Sequence, residues 1–246
     1  MKISILMPIY NGIEYLQDSL ESVLAQTYTN WELIIGINGH EPNSEIYETA
    51  AKQAHMVCEP LAKTYAKSAT EGKIFVYDLQ GVKGKSAALN NMMKYVTGQY
   101  VAILDVDDIW LPEKLENQLL CCSLDYDVIG TGCEYFGEMN GRPNIPYGDI
   151  HMTTDFTKVN PVINSSVLIK RKLAYWEEHM NMLEDYDLWL RLWIKGAKFF
   201  NINKCLIKHR IHKTSAFNSK KTTHRILHEN LTKIRENPHI PLILID

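Results

Sequence analysis

The 246-residue chain is 46% hydrophobic, enough for one large α/β domain or two small ones, and its 26 Lys+Arg against 29 Asp+Glu leave a formal charge of -3. This composition excludes global disorder, and the near-neutral charge removes the general electrostatic case for nucleic acid or an anionic membrane, so any anion site must be local. Five cysteines, odd in number and without C-x-x-C spacing, read as reduced thiols in a cytoplasmic setting, and no run approaches the roughly 20 apolar residues needed to span a bilayer.

The first apolar run, residues 3–7, is too short for a signal peptide and is followed by Pro8, so it reads as a strand. Ile13, Leu16, Leu20, Val23 and Leu24 then recur at helical spacing up to Gln26. WELIIGI (31–37) is a second strand, SEIYETAAKQAHM (44–56) a helix, KIFVYDL (73–79) a third strand, KSAALNNMMKYV (85–96) a helix and YVAIL (100–104) a fourth strand. This alternation predicts an α/β domain with a mostly parallel, doubly wound sheet and helices on both faces, whose ligands sit beyond the carboxyl ends of the strands. Pro112 suits the first turn of a helix over EKLENQLLCCSL, DVIGTG (127–132) is a fifth strand, and 135–159, rich in Gly, Pro, Asn and Asp, is an irregular excursion. INSSVLIKRK reads as strand into helix, and LEDYDLWLRLWIKG as an amphipathic helix with Tyr186, Trp189, Leu190 and Trp193 on one face. Two short strands near 198–202 and 205–211 precede a polar helix from about 219 to 236. That helix is a candidate homodimer or membrane-surface element, although its mixed charges suit a plain solvated face.

The first four strands each end in polar or turn residues on the side where a ligand would sit: PIYNG, NGH, Asp78 and the DVDD of Asp105, Asp107 and Asp108. On an extended strand Asp105 and Asp107 face the same way, and two carboxylates so close raise each other's pKa unless a cation compensates. Such oxygen ligands suit Mg²⁺ or Mn²⁺, which take further ligands from substrate phosphates; the same pattern also fits a solvated acidic turn in which Asp108 caps the next helix. In GVKGKSAALNN, Lys83 and Lys85 supply positive charge and Ser86 stands where an N-cap belongs, so an anion could rest on the helix N-terminus. Glu184, Asp185 and Asp187 lie in the first turn of the amphipathic helix, where the dipole keeps a carboxylate ionised and able to act as general base; Asp187 has the spacing to pair with Arg191. In HRIHKTS, Arg210 and His212 share one face, and His212 gains interest only if it meets the aspartates.

Taken in order, ILMPIYNGIEYLQDSLESVLAQTYTNWELII, KGKSAALNNMM, YVAILDVDDIWLPEKLE, NSSVLIKR, LEDYDLWLRL and HRIHKTS resemble the family 2 glycosyltransferases of the GT-A fold over residues 2–215. The resemblance implies one catalytic domain, 1–215, whose nucleotide-sugar half is 1–110 and whose acceptor and catalytic-base half is 111–215, with a helical tail from 216. It implies that Pro8 and Tyr10 approach the nucleotide base, that Asp105 and Asp107 hold the ribose side and a Mn²⁺ or Mg²⁺ ion, that His212 completes the metal site or contacts the diphosphate, and that Asp185 is the general base. The implied reaction is a single inverting displacement from a nucleotide-sugar donor onto a glycan, lipid-linked or protein acceptor.

Two positions depart from the family pattern. GINGH places Ile37 and Asn38 where an acidic residue usually binds the base, and only the carbonyl end of Asn38 could accept a base N–H. SAALN has Leu89 in place of an arginine that contacts nucleotide, a charge Lys83 or Lys85 could replace. Two other readings remain: a haloacid-dehalogenase-like phosphatase with Asp105 as nucleophile, and a non-catalytic nucleotide- or glycan-binding relative.

Overall fold

The computed structural model describes residues 1–41, 44, 48–49, 52–57, 73–180 and 182–213; the helix expected at 219–236 and part of that at 44–56 lie outside them. Among the described residues the strands are β1 Ile3–Ile9, β2 Trp31–Asn38, β3 Lys73–Leu79, β4 Tyr100–Ile103, β5 Ile109–Trp110, β6 Val128–Gly137, β7 Leu168–Lys170 and β8 Phe199–Ile211. The helices are α1 Leu16–Leu24, α2 Lys85–Met92, α3 Lys114–Cys122, α4 Ile150–Thr153 and α5 Glu184–Ile194. The strands form one sheet in the order β3-β2-β1-β4-β7-β6-β8-β5. Its first four strands are parallel, as their alternation with helices predicts. β7 then runs antiparallel to both neighbours, β6 pairs β8 in parallel, and β5 pairs β8 antiparallel.

Both faces of the sheet are covered, which is why β1 and β2 read as near-continuous apolar runs. Ile3, Ile5, Met7 and Ile9 of β1 with Leu33, Ile35 and Ile37 of β2 pack against Leu16, Leu20 and Val23 of α1 and Leu115 of α3. On the opposite face Leu6, Ile34 and Val101 meet Leu89 and Met92 of α2, Trp176, and Leu188 and Trp189 of α5. Fully burying each Leu or Ile contributes about 2 kcal/mol. Gly36 of β2 lets α2 lie this close, since a Cβ there would sit 2.7 Å from Met92 Sδ and 2.8 Å from Leu79 Cδ1. Pro8 is tolerated because β4 pairs β1 only as far as Leu6, so the missing N–H at residue 8 breaks no ladder bond on that side.

Four expectations need correction. The two strands expected at 198–202 and 205–211 are one strand, β8, whose pairing with β6 shifts register around Gly132. β6 runs on to Gly137, into the segment expected to be irregular. After β7 the chain makes a 3-10 turn at Arg171–Leu173 rather than a helix. Ser86 is not a cap: Gly84, at φ 90°, precedes α2 and Ser86 is buried inside its first turn. Among the described residues no helix is long and apolar enough to cross a membrane.

Candidate active site

The carboxyl ends of β1, β2 and β3 build one side of the cleft. Tyr10, just past β1, is 54% exposed, and its ring lies 4.9 Å from that of His40, whose Nε2 is 2.7 Å from Tyr10 O. Gly39, at φ 84°, makes this possible: a Cβ would come within 2.5 Å of the Tyr10 ring. Its N–H donates to Val82 O at 2.7 Å, tying the turn after β2 to the turn after β3. Ile37 and Leu89 are both fully buried in the core and Asn38 is buried beneath the turn, so Ile37 and Leu89 here serve packing. Lys83 reaches the exposed Glu41 at 2.8 Å, not the aspartates.

Beyond β4 the chain does not stay extended. Asp108 N–H donates to Asp105 O at 3.0 Å, closing a turn that sends the three carboxylates to three different partners. Asp105 meets Lys85 Nζ at 2.6 Å, with the two side chains 25% and 30% exposed respectively, and accepts from Asn164 Nδ2 at 3.2 Å. Asp107 Oδ2 lies 2.9 Å from His212 Nε2. Asp108 is 1% exposed and receives His209 Nδ1 at 2.9 Å and the Arg210 N–H at 3.0 Å. Asp108 therefore does not cap α3, as the acidic-turn alternative has it; it anchors β8 to the turn. Arg210 completes the anchor: Nε donates to Asp107 O at 3.0 Å and a guanidinium nitrogen meets Asp18 at 2.9 Å, between the rings of Tyr15 and Phe136.

Burial works against the charge on Asp105, but Lys85 and Asn164 outweigh it and hold the carboxyl below its ordinary value. Burial likewise opposes the Lys85 ammonium, and Asp105, with Glu184 beyond it, overrides this and raises its pKa. His209 is raised in the same way, burial being outweighed by Asp108.

The third group stands at the start of α5. Asp185 accepts from Asn160 Nδ2 at 3.2 Å, and Asp187 pairs with Arg191 at 2.7 Å, as the i,i+4 spacing predicts. Burial raises the pKa of both Asp185 and Glu184 despite the charge of Lys85, so the helix dipole does not dominate here. Asn160 and Asn164 bracket a segment fixed from behind by β8, where the buried Asn201 Nδ2 donates to Pro161 O at 2.7 Å and Pro146 O at 2.8 Å. Neither asparagine was identified from the sequence as a carboxylate partner. Asn164 lies within the quoted NSSVLIKR, which is the signal that could have found it; Asn160 carried none.

Asp107 and His212 offer a carboxylate oxygen, which suits Mn²⁺ or Mg²⁺ completed by substrate oxygens, and an imidazole nitrogen, which favours the transition ion Mn²⁺ over Mg²⁺. Among the described residues no three His, Cys, Asp or Glu side chains gather as a preformed metal centre. Asp105, expected to share the ion, meets Lys85 Nζ at 2.6 Å.

The sequence profile of glycosyl transferase family 2 matches residues 4–175. A putative glycosyltransferase of Bacillus subtilis, EpsE, is 30% identical over 233 residues, covering 92% of this chain and 78% of its own. Among solved structures, Staphylococcus aureus TarS 1-349 in complex with UDP superposes with a TM-score of 0.65 at 16% identity, covering 87% of this chain and 61% of TarS 1-349. The mannosyltransferase PcManGT of Pyrobaculum calidifontis, in complex with GDP-Man and Mn²⁺, gives a TM-score of 0.66 at 14% identity, covering 95% of this chain and 64% of that one. This chain thus spans less than two thirds of either structure's length, and at these identities the likeness establishes the GT-A type fold. On the profile match and the identity to EpsE, the chain belongs to glycosyl transferase family 2 and is a glycosyltransferase.

Proposed function

We propose that the protein is an inverting, metal-dependent glycosyltransferase that moves a sugar from a nucleotide-sugar to an acceptor hydroxyl in glycan or polysaccharide synthesis. The observation that carries this reading is the meeting of Asp107 and His212, 105 residues apart in sequence and 2.9 Å apart in space, at the carboxyl end of the sheet. Residues 1–110 hold the donor, with Tyr10 and Pro8 beside its base, and residues 111–215 hold the acceptor and the base Asp185. TarS binding UDP and PcManGT binding GDP-Man support a nucleoside-diphosphate sugar. The odd, unpatterned cysteines support a reducing compartment such as the cytoplasm.

In the reaction Asp185 takes the proton of the acceptor hydroxyl as its oxygen forms the new bond to the anomeric carbon. The bond from that carbon to the diphosphate oxygen breaks on the opposite side, its electron pair leaves with the diphosphate, and the configuration inverts. Asp107 and His212 would hold a divalent ion, which would supply Lewis-acid neutralisation of the diphosphate charge. Asn160 orients the Asp185 carboxylate.

Family membership sets the phosphatase alternative aside. A thermal-shift and turnover panel of UDP- and GDP-sugars with Mn²⁺ or Mg²⁺ tests the rest. One donor should both stabilise the protein and be consumed, its product carrying the inverted anomer. Asp185→Asn should lower kcat by about 100-fold or more with donor affinity unchanged. Binding without turnover in the wild type would make the chain a binding relative, and full activity in Asp185→Asn would reject the assigned base.

A further inference from the structure

The turn after β2 lacks the acidic side chain that the family pattern sets against the donor base, and the residues standing in its place are withdrawn from the cleft: Ile37 is fully buried and Asn38 is 3% exposed. His40, two residues on, is half-buried beside Tyr10. Its Nε2 lies 2.7 Å from Tyr10 O and its ring centre 4.9 Å from that of Tyr10, with the planes 32° apart, while Tyr10 itself stays 54% exposed. Two backbone features fix this placement. Gly39, at φ 84°, leaves no room for a Cβ against the Tyr10 ring, and its N–H donates to Val82 O at 2.7 Å. The neighbouring Glu41–Lys83 pair is exposed at both ends and adds little to the hold.

A carbonyl oxygen only accepts, so the contact with Tyr10 O makes Nε2 the donor, and in the neutral ring this leaves Nδ1 as an acceptor. Among the described residues Nδ1 has no partner. Resting on the reading that sets Tyr10 beside the donor base, we propose that His40 is a specificity-determining residue: the base lies against Tyr10, and His40 Nδ1 accepts its ring N–H. The class of donor follows from the chemistry. Uracil carries such an N–H at N3 and guanine at N1, whereas cytosine and adenine present a bare ring nitrogen there, which sets one acceptor against another. Stacking on Tyr10 supplies affinity that is indifferent to the base, since every base has a π face, and His40 supplies the choice. A tautomer fixed by the Tyr10 carbonyl thus does with a neutral nitrogen what the family's acidic residue does with a carboxylate.

The test is equilibrium binding of UDP, GDP and CDP, with Mn²⁺, to the intact protein at pH 8. The wild type should bind UDP or GDP at least about 10-fold more tightly than CDP, and methylation of the ring N–H of the preferred base should remove that advantage. His40→Phe keeps a ring beside Tyr10 but no acceptor, and should bring the preferred nucleotide to within about 3-fold of CDP. His40→Gln can donate its amide to Tyr10 O and present its carbonyl to the base, so it should restore most of the preference. Tyr10→Ala should weaken all three nucleotides alike. A folded His40→Phe protein that keeps the wild-type ratio, or a wild type that favours CDP, overturns the role of His40 and leaves the transfer reading standing. A wild type that binds none of the three overturns the nucleotide-sugar reading and this role with it.

Discussion

Asp185 and Asp108 are both buried carboxyls, yet their partners give them opposite roles. Asp185 has a folded-state pKa raised by burial, with Glu184 beside it. A raised carboxyl contributes stability only at low pH, where it is protonated; as pH rises through the raised value, the folded state must ionise a group that the unfolded chain ionises more easily. Asp185→Asn is therefore expected to raise the thermal midpoint at neutral pH while it removes transfer, a trade common at active sites. The same shift puts the acid limb of kcat/KM above the ordinary aspartate value of 3.8, and a pH–rate profile would show it. Asp108 accepts bonds from His209 and the Arg210 N–H, so Asp108→Ala leaves both without their acceptor and should cost about 2–3 kcal/mol in urea unfolding, with His209's partial exposure limiting the loss. In the sequence the acids of DVDD divide into Asp105 and Asp107 on one face and Asp108 as a possible helix cap, because spacing along a strand assigns faces and not partners. The turn closed between Asp108 and Asp105 breaks that alternation, and the partners Lys85, His212 and His209 come from other elements. The residue types and their faces were legible; the partners of Asp105 and Asp108 were not.

Elements show the same division between local signal and tertiary context. β1, β2, β3, β4, α1, α2 and α5 were legible because each carries a bounded apolar run or a helical period and is long enough to show it. β5 has two residues and no period to read, and β8 looked like two strands because exposed Asn203 and Lys204 interrupt its apolar pattern while its backbone bulges past β6 and continues. α2 adds a contact that no pattern announces. Asn90 Nδ2 donates to Trp176 O at 2.7 Å and Asn90 Oδ1 accepts the Trp176 N–H at 3.1 Å, so one amide pairs with a stretch of backbone 86 residues away as a strand would. Asn90→Ala should cost about 2 kcal/mol in chemical unfolding by leaving both backbone groups unpaired. Because this bond fixes α2 to the chain leading into α5, the same variant should lower kcat even with donor saturating.

At the scale of the whole molecule, burial among the described residues sets Lys114 away from solvent. Lys114 is fully buried on the α1 side of the sheet, its Nζ 2.8 Å from Gln118 Oε1 and 3.8 Å from the Trp110 ring centre. Desolvation drives its pKa well below the usual lysine value, and a ring face worth about 1–2 kcal/mol does not offset that. A base depressed in the folded state makes the unfolded chain bind more protons, so stability rises with pH from the depressed value up to about 10.4, by about 1.4 kcal/mol per pH unit. Lys114→Met should match or exceed the wild type in urea at pH 7 and lose this rise. β8 has a further consequence, set by the direction in which a chain is made. His209 follows Asp108 by 101 residues, so at ordinary rates of synthesis the ribosome takes roughly 5 to 20 s to deliver the partner of an aspartate already in place. The four parallel strands can assemble in that interval, but Asp108 lacks its partners until β8 slides in between β6 and β5. The nascent protein is therefore expected to pass through a stage in which the four parallel strands stand assembled while Asp107 still waits for His212, 105 residues further along the chain.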